Sequence, residues 1–326
     1  MADKMTEIYG AYDLQINQVM RGRGAFILRT DKGVFQLKPM DGNPSRLDAE
    51  YELKEGLLRQ GFSNIDYCIR NKDEELYTCD RYGNPYVLRK YFLGKECNPL
   101  SMQDMTSGVR NLARLHQSGQ EVFRQSEKDV HIRVTGDFKK RNQALKRVNN
   151  YIMRQKSKRE FELKFLKTYE YFAKQGECCQ KDYDKLGCRD RGGCHLGYCH
   201  GMYNHHSLVM TGDEVGTVGF DKFYLGNQMD DLYHFVRKMV EKNDYSIRVM
   251  STILDEYGKV NPLSREDYEY IYINYCYPEK LYKLANQYMN GTKNWLSPKL
   301  LEKMDKFIED EGKKQLILDR MRKMYL

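Results

Sequence analysis

No apolar run in this chain of 326 residues approaches the roughly 18–20 residues that a bilayer-spanning helix needs, which excludes a helical membrane span. The N-terminal stretch MADKMTEIYGAYDLQ lacks the charged-then-apolar pattern of a secretory signal, so synthesis in the cytosol is expected. There is no internal repeat, no low-complexity tract and no long linker. The length then fits one domain of two lobes, or two domains. Apolar residues make up 40% and charged residues 31%, a composition that is fairly polar and globular rather than disordered.

The charge that is present is uneven. The net value is +8, and from residue 131 to 174 there are 13 Lys/Arg against 4 Asp/Glu. A patch for nucleic acid or another acidic partner is one reading. Apolar residues interleave there at helical spacing, which favours solvated helix faces instead. Nine cysteines and 26 tyrosines are high counts.

The first third alternates short apolar stretches with glycines. VMRGRGAFILRTDKGVFQLK breaks at Gly22, Gly24 and Gly33, so hairpins are expected. Pro44 and Ser45 open a helix that stops near Gly61. Strands are expected over 67–79, as one strand or a hairpin, and over 86–92. After 93–96 the chain turns helical: SMQDMTSGVRNLARLHQSG, FKKRNQALKRVNNYIM, SKREFELKFLKTYEYFAKQ, and a series of further helices from DDLYHFVRKMVEK onward.

Between these helices lies CHGMYNHHSLVM, followed by VGFDKFYLG and DDLYHF. The spacing is that of a phosphotransferase catalytic loop, H-G-D-x-x-x-x-N, with a strand ending in a metal-binding Asp after it. His200 and Gly201 keep the frame. Met202 stands for the catalytic Asp, Ser207 for the Asn and Gly219 for the metal Asp. A thioether cannot accept a proton as general base. Ser207 offers one neutral hydroxyl, and Gly219 removes the carboxylate that Mg²⁺ would need. ATP with Mg²⁺ is the cofactor the frame implies, and these three positions speak against it. Asp221 as a substitute metal ligand, with His205 or His206 as base, would be the route to a rescued activity.

If nucleotide binding is retained, Lys38 at the end of VFQLK would meet the phosphates, with Glu50, or else Glu52, as its helix partner. Arg21, Gly22 and Gly24 form a turn whose backbone could approach phosphates, though a lone Gly-x-Gly equally reads as a plain hairpin. His200 and Asp231 read as structural, the latter as a helix-start residue. The cleft could be open or filled, and Met202 and Tyr203 are the side chains that could occlude it.

VLRKYFLGKECN, LARLHQSG, CHGMYNHHSLVM and DDLYHFVRK together resemble the CotS-type spore coat proteins. These are kinase-like proteins related to aminoglycoside and choline phosphotransferases. The resemblance covers nearly the whole chain and implies an α+β, two-lobe, protein-kinase-like fold. A small β-rich N-lobe would span 1–92. A helical C-lobe would span 93–326 and carry the degenerate loop at 199–222. It also implies a bacterial sporulating mother cell, deposition in the spore coat, and other coat proteins as partners. The emptied positions make this member resemble a pseudokinase that binds or scaffolds. An active small-molecule phosphotransferase with atypical groups is the alternative. A nucleic-acid binder using Lys139, Lys140 and Arg141 is a weaker third reading.

Cys178, Cys179, Cys188, Cys194, His195 and Cys199 stand close in sequence. Zinc, disulfides formed in an oxidising coat, and free thiols all remain open there, since the C-x2-C knuckle is missing. The segment KDYDKLGCRDRGG is expected to be a surface loop. Tyr268, Tyr270, Tyr272, Tyr275 and Tyr277 read as core and rim of one helix, with crosslinking in a coat as the rival.

Overall fold

The computed structural model describes residues 5–22, 24–40, 42–126, 131–133, 137–186, 195–212, 214–291 and 297–326. The chain divides into two compact units, Met1–Val130 with Gly197–Leu225, and His131–Leu196 with Gly226–Leu326.

The first unit begins with α1 (Thr6–Gly10) and three antiparallel strands, β1 (Ile16–Gly22), β2 (Ala25–Thr30) and β3 (Gly33–Pro39). After α2 (Pro44–Arg59) come β4 (Thr78–Cys79) and β5 (Pro85–Lys90). The sheet order is β1-β2-β3-β5-β4. Strand alternation sorts its two faces. Leu28 lies opposite Phe35, and Leu37 opposite Leu88. These four pack with Met5, Ile8 and Tyr12 on one side. Val87 packs with Leu47, Cys68 and Leu76 on the other. Asn43 caps α2 by accepting from the Ser45 amide, with Pro44 in the first turn.

One expectation fails here. Of the strand or hairpin expected over 67–79, only Thr78–Cys79 forms a strand. Asn71 is the reason. Its Oδ1 accepts from the amides of Asp73 and Glu75, and its Nδ2 donates to the Tyr77 carbonyl and Thr78 Oγ1. A side chain that bonds nearby backbone competes with a sheet ladder.

The same unit continues through β6 (Lys95–Glu96) and α3 (Met102–Arg124). Ser101 caps α3, its Oγ accepting from the Asp104 amide. Met105, Val109, Leu112 and His116 form its buried stripe. Then come β7 (Leu196–Cys199), β8 (Leu208–Thr211), β9 (Glu214–Thr217) and β10 (Tyr224–Asn227). β6, β8 and β9 make one small sheet, and β7 pairs with β10.

The second unit is helical: α4 (Phe138–Met153), α5 (Glu160–Lys185), α6 (Met229–Lys242), α7 (Ile247–Gly258), α8 (Arg265–Cys276), α9 (Glu279–Asn290) and α10 (Pro298–Tyr325). Leu145, Ile152, Phe165, Leu281, Leu284 and Met304 are among the residues of its core. The basic stretch supplies both core and solvent faces. Phe138, Leu145, Val148 and Ile152 of α4 are buried while Lys139 and Lys140 are exposed. Arg141 lies 5.8 Å from the ring centres of Phe138, Tyr277 and Tyr282.

α5 corrects a second expectation. It runs through Cys178, Cys179 and the start of KDYDKLGCRDRGG to Lys185, where a loop was expected. Phe172, Cys179 and Tyr183 are all buried on one helical stripe, and that burial carries the helix onward. The rest of that segment lies outside the described residues. In the tyrosine-rich stretch, Tyr270, Tyr275 and Tyr277 are buried while Tyr268 and Tyr272 are half-buried.

Candidate functional site

The loop from 200 to 219 leaves β7 at Cys199 and belongs wholly to the first unit. His200 holds its two sides together. Its Nε2 lies 3.1 Å from the Val218 carbonyl, and its Nδ1 accepts from the Met202 amide at 3.3 Å. The neutral ring with the proton on Nε2 satisfies both bonds. Gly201 follows with φ of +80°, and a Cβ there would sit 2.1 Å from the Lys222 carbonyl oxygen, so only glycine fits.

Tyr203 is buried, with its hydroxyl donating to the Gly108 carbonyl of α3 at 2.7 Å. Asn111 Nδ2 donates to Tyr203 Oη at 3.0 Å and to Thr217 Oγ1 at 2.7 Å. Tyr203 is therefore a strut to α3 and β9. Met202 is half exposed.

A tight turn over His205–Ser207 follows. Asn204 Oδ1 accepts from the His206 amide at 2.9 Å. Ser207 Oγ accepts from the Asn204 amide at 3.0 Å and donates to the Asn204 carbonyl at 2.8 Å. The Ser207 hydroxyl thus caps its own turn, and its proton is engaged there.

Gly219 adopts left-handed backbone angles, φ 82° and ψ 53°. Its amide donates to Asp66 Oδ2 at 3.0 Å. Asp66 belongs to a buried chain of charges. Lys54 Nζ lies 2.6 Å from Asp66 Oδ1 and 2.6 Å from Glu50 Oε1, and it donates to the Asp66 carbonyl at 2.8 Å. Arg89 of β5 holds both Glu50 oxygens. Burial alone would push the Glu50 carboxyl up, but the charges of Lys54 and Arg89 hold it down at about 2. Lys54 also stands 5.0 Å from the centre of the Phe220 ring, which lies 4.6 Å from the His200 ring. Arg46 of α2 stacks 4.0 Å above Phe223 and donates to the carbonyls of Asp221 and Phe223.

The other expected residues are placed as follows. Lys38 is exposed at the end of β3, opposite Val87. The Glu50 carboxylate expected to meet it is taken by Lys54 and Arg89, and Glu52 is exposed on α2. Arg21 and Gly22 are exposed at the end of β1 and pair with Phe26 and Ala25; Gly24 turns the hairpin with φ of +64°. Asp221 is exposed. His206 is exposed, its Nδ1 2.7 Å from Glu96 Oε1. Asp231 is buried in the first turn of α6.

Of the cysteine cluster, Cys188 and Cys194 lie outside the described residues. Cys178 is exposed. Cys179 is buried and shares a thiol hydrogen bond with Cys276, which together with burial pushes the Cys179 thiol up. His195 pairs through Nε2 with Asp267 Oδ2 at 3.2 Å. Cys199 Sγ lies 3.8 Å from the Gly197 carbonyl.

A hard cation such as Mg²⁺ needs anionic oxygen. At the three frame positions the loop offers a thioether, a hydroxyl bonded to its own turn, and no side chain at all. These donors do not fit Mg²⁺ with a nucleotide. The residues that do organise the site were missed by sequence reasoning: Arg46, Lys54, Asp66, Arg89, Asn111 and Thr217. Only the i,i+4 spacing of Glu50 and Lys54 signals any of them.

Comparison with solved structures finds the fold again. An aminoglycoside phosphotransferase from Alicyclobacillus acidocaldarius is similar with a TM-score of 0.84 and 16% identity, over 97% of this chain and 95% of that one. Spectinomycin phosphotransferase, in complex with ADP and spectinomycin, is similar with a TM-score of 0.66 and 14% identity, over 99% of both chains. A choline/ethanolamine kinase family protein from Mesorhizobium loti gives 0.58 and 11%, over 98% and 97%. At these identities the likeness is one of fold. None of the curated proteins compared with the chain matches it. The family described as "Spore coat putative kinase YutH" matches residues 5–321, so the resemblance to CotS-type coat proteins holds and the chain belongs to that spore coat family.

Proposed function

We propose that this protein is a spore coat component that acts by binding through a kinase-like scaffold, without Mg²⁺-dependent phosphoryl transfer. The observation that carries the reading is the loop from 200 to 219. Its frame is braced by His200, Gly201 and Tyr203, while the side chains at positions 202, 207 and 219 offer no carboxylate or carboxamide. Losing a general base and a metal ligand together removes most of what such enzymes use to lower the barrier, since they work by positioning and charge stabilisation. Family membership supports deposition in the coat after synthesis in a sporulating mother cell, with other coat proteins as partners. We read 1–92 and 93–326 as the functional lobes.

Calorimetry with ATP, with and without Mg²⁺ or Mn²⁺, tests this. The expected outcome is no binding, or binding that is indifferent to metal. Robust metal-dependent phosphate transfer that vanishes in Asp221→Asn would overturn the proposal and establish the atypical enzyme instead.

A further inference from the structure

The segment 93–96 does more than connect. Gly94 approaches β8 so closely that a Cβ would lie 2.3 Å from the Met210 carbonyl oxygen. β6 then pairs with β8 in a fixed register, Lys95 opposite Met210 and Glu96 opposite Val209. That register sets Glu96 beside the turn that precedes β8. The turn carries His205 and His206, and Asn204 and Ser207 pin its backbone.

Three candidate ligands therefore converge. One atom each from Glu96, His205 and His206 lies within 4.8 Å of the other two. Glu96 Oε1 is already 2.7 Å from His206 Nδ1, and the two imidazole rings are 3.9 Å apart between centroids. His205 is buried, while the side chains of His206 and Glu96 are 69% and 56% exposed. A tetrahedral zinc ion with bonds of about 2.0–2.1 Å sets its ligand atoms about 3.3 Å apart. Reaching that spacing asks the widest-set atoms to close by up to about 1.5 Å and Glu96 and His206 to part slightly, and the two exposed side chains can supply both by rotamer changes.

We propose that Glu96, His205 and His206 form a three-ligand site for a divalent transition metal ion, open on its outer side to water or an oxygen of a bound molecule. Two imidazole nitrogens and one carboxylate suit Zn²⁺, Co²⁺ or Ni²⁺, and suit Mg²⁺ poorly. The site uses none of the three emptied frame positions. It stands whether or not the chain transfers phosphate.

The rival is an ordinary exposed Glu–His pair, which adds little to stability. Titration of the chelator-treated full chain with Co²⁺, then Zn²⁺, without nucleotide, separates the two. The expected result is one equivalent of Co²⁺ with visible d–d bands and no sulfur-to-cobalt charge-transfer band, displaced by Zn²⁺. Glu96→Ala and His206→Ala should each weaken Co²⁺ binding by at least about tenfold. Both should leave the metal-free melting temperature unchanged, because both side chains are exposed. Zn²⁺ should raise the melting temperature of the native chain and not of the variants. Absence of stoichiometric binding would overturn the proposal. So would a thiolate band, or binding that survives both substitutions.

Discussion

Lys54 is 1% exposed, and its ammonium sits between two carboxylates 2.6 Å away on either side. Arg89 closes the set on Glu50, so two positive and two negative groups balance with almost no water. Such a chain adds less to stability than its Coulomb energy implies, because each ion lost its hydration. Removing one member is another matter. Asp66→Ala leaves the ammonium over-charged and the Gly219 amide without its acceptor, and should destabilise by about 3–5 kcal/mol in urea titration. A loss below about 1 kcal/mol would mean that water replaces the carboxylate freely. Glu50 makes the pH statement. Its carboxyl is held at about 2 against an ordinary 4.5. Its contribution, about 3 kcal/mol, is present above pH 4.5 and fades as pH falls toward 2. Glu50→Gln should flatten that part of the acid limb. The sequence made Glu50 and Lys54 neighbours through helical spacing, but nothing in it brings Asp66 or Arg89 to them. That meeting depends on how β5 and the 62–66 segment fold against α2.

Among the elements, two helical glycines give opposite predictions. Gly312 in α10 has nothing within 4 Å of an added Cβ. Gly312→Ala should stabilise by about 0.5–1 kcal/mol through backbone entropy alone. Gly56 in α2 would place its Cβ 2.8 Å from Val122 Cγ1 on α3. Valine on a helix has one strongly preferred rotamer and cannot swing aside. Gly56→Ala should therefore destabilise by about 1–2 kcal/mol despite the same propensity gain. Thermal melts of the two variants check the sign of each. Helices with clear signals were legible beforehand: Pro44 and Ser45 in the first turn of α2, and the apolar stripes of α3 and α4. The 67–77 stretch misled because one asparagine gathers backbone that β-rich composition would place in a strand. The C-terminal turns of α5 were hidden by polar residues whose buried partners, Cys179 and Tyr183, are sparse.

Across the whole molecule, acid is the shared weakness. In the second unit, burial would raise Glu279, but Arg237, Lys283 and His234 hold it far below its usual range. Asp267 is likewise lowered: burial opposes, and His195 and Ser264 outweigh it. Every one of these carboxylates contributes stability above its unfolded pKa and loses it as pH falls. Both units should therefore weaken between about pH 5 and pH 2. Urea midpoints should hold from pH 7 to about pH 5 and fall from there to about pH 3, and a profile flat to pH 3 would contradict the buried pairs. At this scale the sequence spoke most clearly, because the loop spacing at 200–219 and the change from strands to helices name the fold between them. What it could not convey is that 197–225 packs with the first 130 residues, since strand order along the chain does not reveal that β6 pairs with β8.

The bond from the Gly219 amide to Asp66 has one more consequence. In a switching enzyme the corresponding segment is ordered only when its ligand arrives, and part of the ligand's affinity is lost in that ordering. Here the segment is tied from the protein side, by Asp66 below and Arg46 beside it. A partner that reads this surface meets a shape already made. Recognition of it would be rigid and rapid, with no ordering step before it.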